Sequence, residues 1–296
     1  MFNQGIILMK SFFAKSTALL TLILAPSFVF AQTSLDPNGP IIGTSEGNHR
    51  LDCTIIRPWA TDLRPEGSSF PVIGWTNGWG QGNVHGADQI LGYDGGLFDL
   101  AEAGDYIVVA ANQWSARSPD ILQCLQWLLD ENIDSNSEYF EAVNTDQIGV
   151  SGHSQGGGAA LKAGNDCVFD GANCKLIKTV VAMNPYGPSF VKARGQNGQI
   201  LVLGGTNDGV TPTNSFSAVL NDSILSEDMG GVQAELIGGS HCNPACDFVG
   251  GNFGEFGEAS LLWFDMVLKG EDNCAALETL FENGEWNPIY SVNFCP

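Results

Sequence analysis

Short apolar runs rich in β-branched residues recur along the chain: Thr54-Ile55-Ile56, Phe70 to Trp75, Tyr106 to Ala111, Gln147 to Ser151, Thr179 to Met183, Ile200 to Leu203 and Val232 to Ile237. Near-continuous apolarity over so few residues is the pattern of a strand buried on both faces. Between the runs the period changes. From Pro119 to Ile133 the apolar residues Ile121, Leu122, Leu125, Leu128 and Leu129 fall on one face of a helix. Ser154 to Ala163 reads as a helix of small residues, and Phe256, Ala259, Trp263, Met266 and Val267 mark an amphipathic helix that Gly270 stops. Alternating strands and helices predict the α/β class, a mainly parallel sheet with helices on both faces and a site at the carboxyl ends of the strands. No repeat, long linker or low-complexity tract interrupts this order, so one domain is expected.

The N-terminus follows a different pattern. Lys10 and Lys15 precede the apolar run Ala18 to Ala25, then come Pro26 and Val29-Phe30-Ala31 before Gln32. The apolar stretch is shorter than the roughly 20 residues that span a bilayer, and small Ala31 suits a signal peptidase. Residues 1–31 are therefore read as a secretory signal peptide, with Met9 as an alternative start, and residues 32–296 as the single domain of an extracellular or periplasmic protein.

Composition narrows the partners. A hydrophobic fraction of 44% excludes a disordered chain, and 33 Asp+Glu against 12 Lys+Arg gives a formal charge of −21. Such a surface repels nucleic acid and anionic membranes and opposes self-association, so a monomer without either partner is expected. Abundant carboxylates with few lysines also fit a salt-tolerant protein, with an ordinary acidic secreted protein as the equal alternative.

All eight cysteines, Cys53, Cys124, Cys167, Cys174, Cys242, Cys246, Cys274 and Cys295, follow the signal, so disulfides are the expected state. Proximity suggests Cys167–Cys174, Cys242–Cys246 and Cys274–Cys295, leaving Cys53 to Cys124. Zinc on His241, Cys242 and Cys246 is the rival reading; a structural site wants four ligands, and no second close pair stands nearby. No EF-hand spacing occurs among the acids, and no metal or cofactor is expected.

The strongest chemical signal is Gly152-His153-Ser154-Gln155-Gly156, placed between a predicted strand and a predicted helix. This is a nucleophile elbow, in which the sharp turn exposes the serine hydroxyl and the glycines let neighbouring chain approach. The Gln155 amide at the helix start is the first oxyanion donor. A serine needs a base, and the base an orienting carboxylate. His49 and His85 precede the serine and His153 points away from it, which leaves His241, in the turn Gly238-Gly239-Ser240-His241 after a strand. Asp208, at the end of the run from Ile200, is the acid; Asp222, Asp228 and Glu235 are placed less well. The order Ser154, Asp208, His241 is that of α/β-hydrolases. The second oxyanion amide is assigned to Trp75, whose indole is read as a flat wall of the site. The glycines at 78, 80 and 82 match neither a dinucleotide fingerprint nor a P-loop.

These residues resemble secreted cutinase-like polyester hydrolases, the group that includes bacterial poly(ethylene terephthalate) hydrolases. The resemblance runs from about Phe70 to Cys295, through Gly74-Trp75-Thr76, the elbow with Gly157 and Gly158, Asn184-Pro185-Tyr186, Asn207 to Pro212, Gly238 to Cys242 and the final cysteine pair. It implies a lidless α/β-hydrolase with a shallow cleft for polymer chains, no cofactor, an aromatic Tyr186 beside the scissile ester and Val210 on the acyl side. The chain departs from that pattern at Gln155, where Met is common, and at Trp75, where Tyr or Phe is more frequent. Gly205 stands where some relatives place a cysteine that ties the acid loop to the histidine loop, so Cys242 is expected to pair with Cys246 and the Asp208 loop to be freer. The expected activity is serine carboxylic-ester hydrolysis of polyesters, with lipase-type or general esterase action on short soluble esters as the alternative.

Overall fold

A computed structural model describes residues 34–36, 41–43, 50–59, 64–79, 93–112, 117–165, 176–186, 198–212, 230–244 and 253–295. Contacts divide the chain into two units, Met1–Phe30 and Ala31–Pro296. The first, with the expected signal peptide, lies outside the described residues.

The described strands of the second unit form one sheet. They are β1 (Ser34–Asp36), β2 (Ile41–Gly43), β3 (Arg50–Arg57), β4 (Phe70–Thr76), β5 (Ile107–Asn112), β6 (Val143–His153), β7 (Ile177–Met183), β8 (Gln199–Gly205), β9 (Gly231–Leu236) and β10 (Trp286–Val292). Their order is β1-β3-β5-β4-β6-β7-β8-β9-β10, with β2 also on β3. From β5 to β9 every pairing is parallel, while β1, β2, β3 and β10 pair antiparallel at the two margins. The helices are α1 (Asp94–Gly104), α2 (Ser118–Ile133), α3 (Gln155–Asn165), α4 (Glu255–Phe264), which runs into a π-helical turn at Asp265–Lys269, and α5 (Cys274–Glu282). This is an α/β-hydrolase arrangement, as the alternating pattern predicts.

Successive strand residues feed opposite cores, which is why the runs read as continuous rather than alternating. Val72, Val109, Val180 and Val202 join the core that Ile121, Leu122, Leu125 and Leu128 of α2 and Leu161 of α3 cover. Their chain neighbours Ile73, Val108, Val181 and Leu201 join the opposite core under Leu97 and Leu100 of α1, Phe256 and Trp263 of α4, and Leu277 of α5. Each buried leucine of α2 contributes about 1.5–3 kcal/mol by leaving water, so Leu125→Ala is expected to cost about 2–5 kcal/mol. At the start of α2, the Asp120 carboxylate accepts the Arg117 backbone N–H at 3.1 Å, and Pro119 occupies the first turn, where its missing N–H costs nothing.

Cys53–Cys124 joins β3 to α2 inside the first core, and Cys274–Cys295 ties α5 to the C-terminus. Cys242 is also disulfide-bonded; Cys167, Cys174 and Cys246 lie outside the described residues. A disulfide sulfur is not a free thiolate, which removes Cys242 as a zinc ligand. Among the described residues no helix is long and apolar enough to cross a membrane.

The elements sequence patterning missed lie early and late in the chain. Helix α1 carries three glycines, and β1, β2 and β10 are marginal strands. The helix expected around Phe256–Val267 does form, but its last turn widens to π geometry before Gly270, at φ 73°, ends it.

Candidate active site

The parallel strands end on one edge of the sheet, and the loops that leave them there gather the chemistry. Strand β6 turns into α3 through Ser154, which holds φ at 55°, a left-handed conformation rare for a residue with a side chain. Crowding enforces the turn. A Cβ on Gly156 would sit 2.1 Å from the Thr76 carbonyl oxygen, and one on Gly152 would sit 2.2 Å from Thr76 Oγ1. Thr76 uses this closeness to donate its hydroxyl to the Gly156 carbonyl at 2.6 Å. The Ser154 carbonyl accepts the amides of Gly158 at 3.1 Å and Tyr186 at 2.7 Å, pinning the loop after β7 to the elbow.

His241, in the turn after β9, brings Nε2 to 2.9 Å from Ser154 Oγ and Nδ1 to 2.8 Å from Asp208 Oδ2. Residues 154, 208 and 241 thus stand in one hydrogen-bonded line, with the Asp208 side chain fully buried and the His241 side chain largely so. Burial pushes the Asp208 carboxyl up. The hydroxyl and amide of Thr211, then His241 and the Val210 amide, outweigh it and hold the carboxyl below its ordinary range. Thr211 donates Oγ1–H to Oδ2 at 2.6 Å and its N–H to Oδ1 at 2.7 Å, and the Val210 N–H reaches Oδ1 at 2.8 Å. The carboxylate is thereby kept ionised and aimed at the imidazole.

The loops that carry Asp208 and His241 are tied to each other by hydrogen bonds. The Asn207 N–H donates to the Gly239 carbonyl at 2.8 Å, the Thr206 N–H to the Leu236 carbonyl at 3.0 Å, and the Gly238 N–H to Thr206 Oγ1 at 2.8 Å. A Cβ on Gly205 would fall 2.3 Å from the Gly239 oxygen, so the glycine permits this close approach. Hydrogen bonds to backbone and to the Thr206 side chain thus join the two loops where the expected disulfide of some relatives is lacking.

A cleft of about 520 Å³ opens at Ser154 and His241, walled by Trp79, Gln155, Tyr186 and Val210. Trp79, Tyr186 and Val210 are 67%, 55% and 59% exposed, unusual for large apolar side chains. Trp75 is not part of this wall. Still within β4, it is fully buried, stacks on Phe253 at 4.8 Å and donates its indole N–H to Asn77 Oδ1 at 2.7 Å. The reading of Trp75 as the wall of the site is thus corrected to Trp79, because β4 runs through Thr76 and the turn begins only after it. A second tryptophan after a glycine, Gly78-Trp79, was the available signal.

Three further residues around the site went unrecognised in the sequence: Thr211, Tyr93 and His153. Tyr93, at the head of α1, places its hydroxyl 2.8 Å from His153 Nδ1 and accepts the Gly78 N–H at 3.2 Å. His153 Nε2 donates to the His241 carbonyl at 2.8 Å. Burial, then the neighbouring His241, depress the His153 pKa to about 3, so its ring is neutral. Burial likewise raises the Tyr93 hydroxyl well above its ordinary value. Among the described residues no three His, Cys, Asp or Glu side chains cluster as metal ligands.

Ser154, at a strained turn between strand and helix, thus stands in one hydrogen-bonded line with Asp208 and His241, which follow it in chain order on an α/β-hydrolase fold. Residues 105–268 match the family described as PETase, PET hydrolase-like, and the chain belongs to that family. No curated protein matches the chain.

Proposed function

We propose that the protein is a secreted serine ester hydrolase that cleaves polyesters, poly(ethylene terephthalate)-like aromatic polyesters among them. The observation that carries this is the line Ser154–His241–Asp208, at 2.9 and 2.8 Å, opening into a cleft whose rim is exposed Trp79, Tyr186 and Val210. An apolar rim around a polar reaction centre suits a chain of aromatic or aliphatic units joined by esters. Membership of a PET hydrolase-like family supports the same substrate class.

In this reading His241 Nε2 takes the Ser154 proton as Oγ attacks the ester carbonyl, and Asp208 stabilises the imidazolium that forms. The tetrahedral oxyanion is held by the backbone N–H of Gln155 and, in place of Trp75, that of Trp79. Collapse of the intermediate breaks the C–O bond, and His241 returns the proton to the leaving alcohol. Water, deprotonated by the same imidazole, then attacks the acyl-enzyme and releases the acid. Tyr186 and Val210 position the two sides of the ester. Disulfides and the N-terminal pattern support export with cleavage near Ala31, and the net charge of −21 supports a monomer.

The test compares the mature protein with Ser154→Ala on amorphous aromatic and aliphatic polyester films and on a soluble p-nitrophenyl ester. Acid released from film by the wild type alone is the expected result. Turnover of the soluble ester with neither film attacked would replace the polyester reading with that of a general esterase.

A further inference from the structure

We propose that His153 is a positioning residue whose imidazole, fixed in one tautomer by Tyr93, holds the backbone of the His241 loop in place for proton transfer, while the same tyrosine anchors the turn that carries Trp79. The inference rests on the assignment of Ser154 and His241 given above.

The ring is buried, lies next to the nucleophile in sequence and takes no part in the chemical steps. Its two nitrogens have different partners. The His241 carbonyl can only accept, so Nε2, 2.8 Å away, carries the hydrogen. In a neutral imidazole that leaves Nδ1 with a lone pair, and Tyr93, 2.8 Å away, donates its hydroxyl hydrogen to it. The tyrosine oxygen is then free to accept the Gly78 N–H at 3.2 Å. Only this proton arrangement satisfies the whole chain; reversing it would set a lone pair against a carbonyl.

The result is a buried bridge from the turn after β4, through the head of α1 and the elbow, to the loop after β9. At its far end the His241 carbonyl also accepts Asn184 Nδ2 at 3.2 Å, so two side-chain donors converge on the peptide of the residue that must move a proton. At its near end Gly78 leaves the space the bridge needs, since a Cβ there would stand 2.9 Å from the tyrosine oxygen and 3.3 Å from His153 Nδ1. The titratable groups facing His153 are Tyr93 and, with ring centroids 4.9 Å apart, His241, with Asp208 beyond it. A charged His153 would oppose the imidazolium that forms on His241, so an uncharged ring that still donates one hydrogen bond is what this position requires. Misplacing a catalytic base by a fraction of an ångström costs turnover more than binding.

The test measures kcat and KM for a soluble p-nitrophenyl ester in wild type, His153→Gln, His153→Phe, Tyr93→Phe and the double variant Tyr93→Phe/His153→Phe. Rates are normalised to active enzyme titrated with a serine-reactive phosphonate. His153→Phe is expected to lower kcat by about 10- to 100-fold with KM within about twofold. Gln, which offers an N–H toward the carbonyl and an oxygen toward Tyr93, is expected to stay within about threefold of wild type. Tyr93→Phe removes one oxygen from an intact ring and is expected to cost kcat about 3- to 10-fold, with the double variant losing less than the product of the two single losses, because only the Gly78 contact of Tyr93 is independent of His153. If His153→Phe does not fold, Tyr93→Phe carries the test. Unchanged kcat in the foldable variants, a Gln variant as poor as Phe, or additive losses in the double variant would each overturn the inference while wild-type turnover stands. Absence of Ser154-dependent turnover in the wild type would overturn the esterase reading, and this inference with it.

Discussion

Thr211→Val removes a single hydroxyl from the buried side of the acid while keeping the shape of the side chain. Thr211 Oγ1 lies 2.6 Å from Asp208 Oδ2, 3.1 Å from the Asn184 carbonyl and 3.2 Å from His241 Nδ1. The shortest of these is a hydrogen bond to an ionised group, worth about 1.5–3 kcal/mol where it is buried, and both Thr211 and Asp208 are at most 5% exposed. The sign follows from the direction of the Asp208 shift. Its carboxyl titrates lower in the folded protein than at its ordinary value of 3.8, so the native state gains stability that is fully present above that value and lost as pH falls through the folded pKa. Without the Thr211 hydroxyl the burial penalty gains on the remaining hydrogen bonds, and the folded pKa rises. The variant is therefore expected to be about 1.5–3 kcal/mol less stable at neutral pH, with the deficit shrinking below the ordinary carboxylate range. Urea unfolding from pH 7 to about 3, with Thr211→Ser as the hydroxyl-retaining control, measures this. A deficit that does not change with pH would refute the reasoning, because it would mean lost packing rather than a lost partner for a charge. So would a Thr211→Ser variant as unstable as Thr211→Val.

Other substitutions separate the site from its scaffold. Trp79→Ala is expected to slow acid release from polyester film with the melting temperature unchanged, whereas Trp75→Ala, which empties a fully buried site, is expected to cost about 3–5 kcal/mol; calorimetry beside film hydrolysis reads both. Gly156→Ala places a methyl 2.1 Å from the Thr76 oxygen, so loss of soluble expression or of phosphonate labelling at Ser154 is expected, and a normally active variant would contradict the described elbow. Opening Cys53–Cys124 by Cys→Ser at both positions releases a 71-residue separation and is expected to cost about 2–5 kcal/mol, measured by denaturant unfolding under non-reducing conditions. With 33 acids against 12 bases, film hydrolysis is expected to persist in molar NaCl, and activity that collapses there would count against a salt-tolerant surface.

The sequence alone determined the fold class, because strands buried on both faces must be written as continuous apolar runs and the helices covering them as apolar stripes. It also singled out Ser154 by its glycine-flanked turn, and Asp208 and His241 by their places after strands in the required chain order. Local composition suffices for these because each is set by the backbone around it. Where β4 ends is a different kind of fact. Trp75 and Trp79 both follow a glycine, and only the pairing of β4 with β5 and β6 through Thr76 puts the first in the core and the second in the cleft. The roles of Thr211, Tyr93 and His153 were likewise invisible, since each depends on partners brought close by the order of strands in the sheet: Tyr93 meets a histidine 60 residues away, and that histidine meets a carbonyl 88 residues further on. Spacing along a chain encodes periodicity and turns; convergence of loops at the carboxyl edge of a sheet is encoded only in the completed packing.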